Sequence, residues 1–351
     1  MSTTIQGDAA AGAAPAASWR EIVSRYQRTE VPSSIFQLFN TLVPLAAGFT
    51  VMAYSLRWSY WITLLLAIPT AGLLVRSFII MHDCAHGSFL PWKKVNDAIG
   101  WFTGVITLTP FAQWRRDHAL HHASSGDLDR RGHGDVDTIT VREYLARSSA
   151  DQFKYRMKRH PVALLLVGPL WLVYTQRFRP RSKATKDKQI ASVWSTNIAI
   201  VVSLAFFWAL GVLPEMLMVY GPVMYLAGMA GVFLFYVQHQ FEDTYWAPHQ
   251  AWDYETASLA GSSYLKLPRP LAWFTGDIGV HHVHHISPRI PNYKLQECHD
   301  ENPLFHNVTT ITLADTGRAL RLSLWDEEQE RLISFKDLEA ESTAETQRRR
   351  V

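Results

Sequence analysis

The stretch SYWITLLLAIPTAGLLVRSFIIMHDCAH, residues 59–86, decides the fold. Residues 59–81 are apolar apart from Arg76. At ~1.5 Å rise per residue, a helix of this length crosses the ~30 Å hydrocarbon core of a bilayer. His82 and His86 follow at once, one helical turn apart, so a continuing helix carries both imidazoles out of the membrane on one face. Arg76 lies near the end that bears His82 and is expected to snorkel to the interface.

Three further runs match it. Residues 36–56 are apolar and reach residue 59 through Arg57 and Trp58 only, so the first two spans form a tight hairpin. Residues 192–213 and 216–238 form a second hairpin joined at Pro214 and Glu215, and its last span runs directly into His239. Two shorter runs, 98–112 and 162–175, are too short to cross and read as interfacial or re-entrant helices broken by Pro110, Pro161 and Pro169. The segment 82–190 holds eighteen Lys and Arg, and the two short hairpin turns hold one, Arg57. Positive charge stays on the cytoplasmic side, so this segment, both termini and the ends that carry histidine are expected there. The fold class is therefore all-α integral membrane: four transmembrane helices in two hairpins under a cytoplasmic helical cap. Residues 1–35 read as a flexible cytoplasmic tail, 36–324 as the membrane domain and 325–351 as a charged tail.

Nine of the fifteen histidines fall into four places along this frame. They are His82 and His86 in HDCAH, His118, His121 and His122 in HALHH, His281, His284 and His285 in HHVHH, and His239 in QHQFED. Offsets of three and four residues put imidazoles on one helix face, so each segment can aim two or three at one point. Tetrahedral zinc takes four ligands, whereas the box histidines suit two ions. Asp83, Asp117, Glu242, Asp243 and Asp277 stand close enough in sequence to orient these rings through their second nitrogen. His133, His160, His249, His299 and His306 lie outside the boxes and read as structural or solvated, as does Trp114 as a packing residue.

Composition narrows the classes. A net charge of +3 in 351 residues makes no case for nucleic acid. The mean hydropathy of −0.04 hides very apolar and charged stretches, and thirteen tryptophans suit interfacial anchoring. Cys84 and Cys298 form no CxxC pair. A cluster of neutral nitrogen ligands beside apolar helices suggests oxidative chemistry on a lipid. Iron changes oxidation state where zinc does not, and hydrogen abstraction from an unactivated C–H bond needs a strongly oxidising centre. The paired Glu-x-x-His motifs of soluble di-iron carboxylate bundles are absent from the sequence.

HDCAH, HALHH and HHVHH, in this order and on this topology, resemble the three histidine boxes of membrane fatty acid desaturases. The phrase GDIGVHHVHHISPRIPNY, residues 276–293, resembles the third box of the acyl-lipid omega-6 (delta-12) and omega-3 type. The resemblance covers about residues 36–300. It implies a non-haem centre of two iron ions, O2 as co-substrate, two electrons per turnover and a cis double bond placed in a fatty acyl chain. The implied ligands are His82, His86, His118, His121, His122, His281, His284 and His285, with His239 matching an extra ligand by position. Phe235 stands where a related type has an asparagine holding a metal-bound water. The implied partners are a fatty acyl lipid, membrane lipid and an external electron donor of the ferredoxin or cytochrome b5 type. A bacterial inner membrane is the expected location. Two rival readings remain at this point: a membrane hydroxylase or ketolase acting on alkanes, sterols or carotenoids, and a membrane metal transporter, whose ionisable groups belong near mid-membrane.

Overall fold

The computed structural model describes residues 18–132, 136–178 and 186–348. Residues 1–17 of the expected tail, and His133, lie outside the described residues. Four helices are long and apolar enough to cross a membrane: Val31–Ser55, Tyr60–His86, Asp187–Ala209 and Leu213–His239. The first starts five residues before its expected apolar limit because Pro32 suits the first turn of a helix. Ser59 caps the second by accepting from the N–H of Trp61, and the Ser55 and Thr63 hydroxyls meet at 2.7 Å across the turn. The second long helix stays unbroken to His86 and stops at Gly87, whose φ of 71° is the left-handed cap that glycine adopts without a Cβ penalty.

The second hairpin turns earlier than Pro214 and Glu215 suggest. Its third helix ends at Ala209, Gly211 takes a φ of 71°, and Pro214 sits in the first turn of the fourth helix. Glycine ends helices and proline starts them, which moves the turn four residues toward the N-terminus.

The two shorter apolar runs also break where the chain chemistry demands. The first is a helix, Lys93–Ile106, followed by Leu108 at positive φ and by Pro110 as the cap of the helix Phe111–Ser124. That second helix carries HALHH. A Cβ on Gly100 would lie 2.3 Å from the Phe111 ring, so glycine allows the two helices to touch. The second run divides at Val167 into Pro161–Leu166 and Gly168–Phe178, with Leu170, Trp171 and Phe178 exposed.

Both expected tails are partly built into the fold. Within 1–35, Trp19–Ser24 is a helix with a Ser18/Glu21 capping box, and Val23 and Tyr26 are buried against the segment that carries HHVHH. Within 325–351, β4 (Leu322–Asp326) pairs antiparallel with β5 (Arg331–Ser334), and β1 (Ile139–Thr140) runs parallel to β4. Leu322, Leu324, Trp325, Leu332 and Ile333 bury the hairpin, and a helix Phe335–Arg348 follows. A second sheet pairs β2 (Tyr264–Lys266) with β3 (Thr310–Thr312). These strands are short additions to a helical frame, and they pack the cap against the helix ends that carry histidine.

Candidate metal centre

Four helices deliver the histidines. His82 and His86 end the second long helix, His239 ends the fourth, His118, His121 and His122 lie on Phe111–Ser124, and the short helix His281–Ile286 carries the rest. The last helix is six residues long and depends on its surroundings. Gly279 leads into it with room for no side chain, since a Cβ there would meet the Leu265 carbonyl oxygen at 2.4 Å.

The rings assemble into two groups. His82, His86, His118 and His284 form the first, and His121, His239, His281 and His285 the second. Within each, the potential ligand atoms lie within 4.8 Å of one another. The first box sends both its imidazoles to the first group, while the second and third boxes divide theirs: His118 and His284 go to the first, His121, His281 and His285 to the second. His122 stands between. Its Nε2 is 3.1 Å from His118 Nε2 and 3.0 Å from His284 Nε2, and its ring stacks on His285 at 4.3 Å. His282, one residue along the same helix, points elsewhere, with its Nε2 3.1 Å from His299 Nδ1. That contact gives His299 a structural partner, and burial pushes the His282 pKa down to about 3.

The nitrogens fit a cation better than one another. A neutral imidazole nitrogen either donates one hydrogen bond or accepts one. Yet His284 Nε2 faces His82 Nε2 and His122 Nε2 at 3.0 Å each, and His239 Nε2 faces His121 at 3.2 Å and His281 at 3.0 Å. No hydrogen-bond pattern satisfies both partners of such an atom. Two nitrogens each about 2.1 Å from one ion lie about 3.0 Å apart at a right angle and about 3.4 Å apart at the tetrahedral angle. Buried His86 Nε2 and His285 Nε2, one in each group, have no hydrogen-bond partner. Burial, then repulsion from neighbouring imidazoles, holds His118, His122, His281, His284 and His285 well below the usual histidine range, so these rings are neutral and able to donate lone pairs.

Outer contacts orient some of the rings. Asp83 Oδ1 lies 3.2 Å from His82 Nδ1, and Asp83 Oδ2 accepts from the backbone and side-chain nitrogens of Asn292 at 2.8 and 2.9 Å. The His239 Nδ1 is 3.1 Å from the Gly261 carbonyl, which makes Nδ1 the donor and leaves the Nε2 lone pair for a metal. Tyr254 donates to the His285 carbonyl at 2.8 Å. Asp83→Asn keeps the shape and loses the carboxylate. We expect metal affinity at the first group to fall ~10–100-fold, the usual cost of losing such a partner, as read by metal titration of the purified variant.

Other carboxylates singled out from the sequence serve different partners. Glu242 pairs with Arg318 at 2.6 Å and Arg331 at 3.1 Å, pinning the C-terminal hairpin. Asp243 accepts from Thr309, and Asp117 accepts from Gln113 at 2.8 Å. Asp277 adopts a φ of 53°, and burial raises its carboxyl pKa against the opposing influence of Arg76 and Arg269. Trp114 stacks on His118 at 4.3 Å, and Phe235 lies 5.1 Å from His121 and 5.3 Å from His239, so aromatic rings wall both groups. Asn292, Gly261 and Tyr254 escape sequence reasoning: the first two are an ordinary amide and a backbone carbonyl, and Tyr254 lies far from any box.

Fold and site together define a helical membrane protein with two four-imidazole groups able to hold metal. A family profile for "Fatty acid desaturase" matches residues 55–310. The chain is 42% identical over 316 residues to a fatty acid desaturase of Bacillus subtilis, covering 90% of this chain and 89% of that protein. It is 25% identical over 268 residues to the sn-1 oleoyl-lipid 12-desaturase of Synechocystis, covering 74% and 72%. An endoplasmic-reticulum omega-3 fatty acid desaturase of Vigna radiata is 25% identical over 288 residues, covering 78% and 72%. The chain belongs to the fatty acid desaturase family, and so to a family of oxidoreductases.

Proposed function

We propose that the protein is an O2-dependent desaturase that places a cis double bond in a lipid acyl chain, with two iron ions held by the nine histidines. One observation carries this reading: eight imidazoles from four distant segments converge in two groups, the second wholly buried and the first partly so, with His122 touching both, at the ends of apolar helices. Iron at these positions supplies the oxidising power that an unactivated C–H bond demands. The balance closes with an external donor. The acyl chain loses two hydrogens, the donor supplies two electrons, solution supplies two protons, and O2 leaves as two waters.

The chain's own residues do the rest. The Asp83 carboxylate and the Gly261 carbonyl select which nitrogen of His82 and His239 faces the metal. Tyr254 anchors the short third-box helix through the His285 carbonyl. Phe78, Trp114 and Phe235 keep the surroundings apolar, which limits water near the reacting carbons. The substrate is a membrane acyl lipid, the donor is a separate ferredoxin or cytochrome b5 type carrier, and the site faces the cytoplasm of a bacterial inner membrane.

The test is expression in a host that makes only saturated and monounsaturated acids, followed by lipid mass spectrometry with double-bond localisation. A new double bond without added oxygen supports the reading. An oxygenated product instead points to hydroxylase chemistry, and unchanged lipids with a zinc-loaded protein point to metal binding alone.

A further inference from the structure

Arg76 does not snorkel. It is 7% exposed, and its guanidinium is covered by the Trp273 ring at 4.4 Å while one Nη donates to the Trp273 carbonyl. Its Nε has no partner. Asp277 acts on it through space, but no carboxylate among the described residues pairs with it. A guanidinium has five N–H donors, and a buried charge without a counter-charge is strongly destabilising.

The open side of Arg76 is a cavity of about 350 Å³, within the ~300–1,000 Å³ range of small-molecule sites. Gln37, Asn40, Tyr293 and Lys294 also line it. Glu30, Ser33 and Glu297 line it as well; Lys294 pairs with Glu30 at 2.6 Å and Glu297 is exposed to solvent, which leaves Arg76 as the buried cation of the wall without a paired carboxylate. The cavity's height follows from helix geometry. Arg76 lies sixteen residues after Tyr60 in one long helix, and Asn40 fifteen before Ser55 in its neighbour, each ~23 Å from the hairpin turn. In a ~30 Å hydrocarbon core this is near the boundary on the side that carries histidine. Two of the lining side chains are apolar and exposed: Phe36, at 69%, and Trp273. Tryptophan at this height is an interfacial anchor.

We propose that this cavity binds the phosphate of a membrane glycerophospholipid, with Arg76 as its counter-charge. The remaining guanidinium N–H groups suit a phosphate oxygen, the amides of Gln37 and Asn40 suit ester and glycerol oxygens, and Phe36 and Trp273 leave the acyl chains in the bilayer. The site also connects to the metal centre. Gln37 donates to Asn292 at 2.8 Å, Asn292 donates to Asp83 at 2.9 Å, and Asp83 meets His82. Headgroup binding itself requires neither iron nor turnover.

The test is native mass spectrometry of the full chain, delipidated in detergent and exchanged with phosphatidylglycerol, with diacylglycerol of the same acyl chains, or with phosphatidylglycerol plus inorganic phosphate. The parent protein is expected to retain phosphatidylglycerol and not diacylglycerol, with millimolar phosphate failing to displace the lipid. Arg76→Gln should retain the phospholipid at least roughly tenfold less, the loss of a charged hydrogen-bonding partner. Without lipid, Arg76→Gln should melt no lower than the parent, because it removes an unpaired buried charge. Equal retention of the two lipids by the parent overturns the proposal whether or not the variant folds. Unchanged retention in Arg76→Gln overturns it too, and displacement by inorganic phosphate assigns the cavity to a free anion instead.

Discussion

His284→Ala is expected to abolish the unsaturated product while the protein remains in the membrane. His284 is 1% exposed and its Nε2 lies 3.0 Å from both His82 and His122. Alanine removes one donor of the first group and opens a polar hole among its rings. Loss of an outer contact to a metal ligand costs ~10–100-fold, and loss of the ligand itself costs more. His121→Ala, in the second group, should behave alike, because the proposed reaction uses both groups. Lipid analysis of membranes that contain each variant, with the protein quantified in the same fraction, reads the outcome. Retained activity in both would contradict the ligand assignment.

His122→Ala is expected to empty both metal positions, unlike any other single replacement in the centre. The His122 Nε2 approaches the first group at His118 and His284, while its ring stacks on His285 of the second. His86 offers a contrast. Its ring meets His82, His118, His122 and His284 and no ring of the second group, so His86→Ala should spare the second metal. Metal analysis of the two purified variants separates the cases. Equal metal loss in both would mean that His122 serves one group only.

The frame is legible because a bilayer imposes long uninterrupted apolar runs, and length alone identifies them. The helix that runs through HDCAH is legible for the same reason, and it runs unbroken from Tyr60 to His86 although Pro69 lies inside it. Boundaries depend on single residues. Gly211 ends the third long helix before Pro214 acts, and the left-handed cap outweighs the proline signal. The terminal segments look charged and loose, yet Val23, Tyr26, Trp325 and Leu332 are buried through contacts distant in sequence. Helical spacing reveals that the boxes can present their rings together, but it does not reveal that His118 and His121, or His281 and His284, three residues apart, enter different groups. That division depends on how four helices face one another. Glu242 shows the limit of proximity: three residues from His239, it turns to Arg318 and Arg331. Arg76 shows another, since the pattern that suggests snorkelling takes no account of Trp273 folding back over it.

The proposed assembly of two irons held by nine histidines is read by metal analysis of the purified protein, together with O2 uptake upon addition of a reduced electron donor and lipid. Two irons per chain and O2 consumption matched by new double bonds are the expected result. Protein that holds zinc alone and consumes no O2 under the same conditions would contradict it.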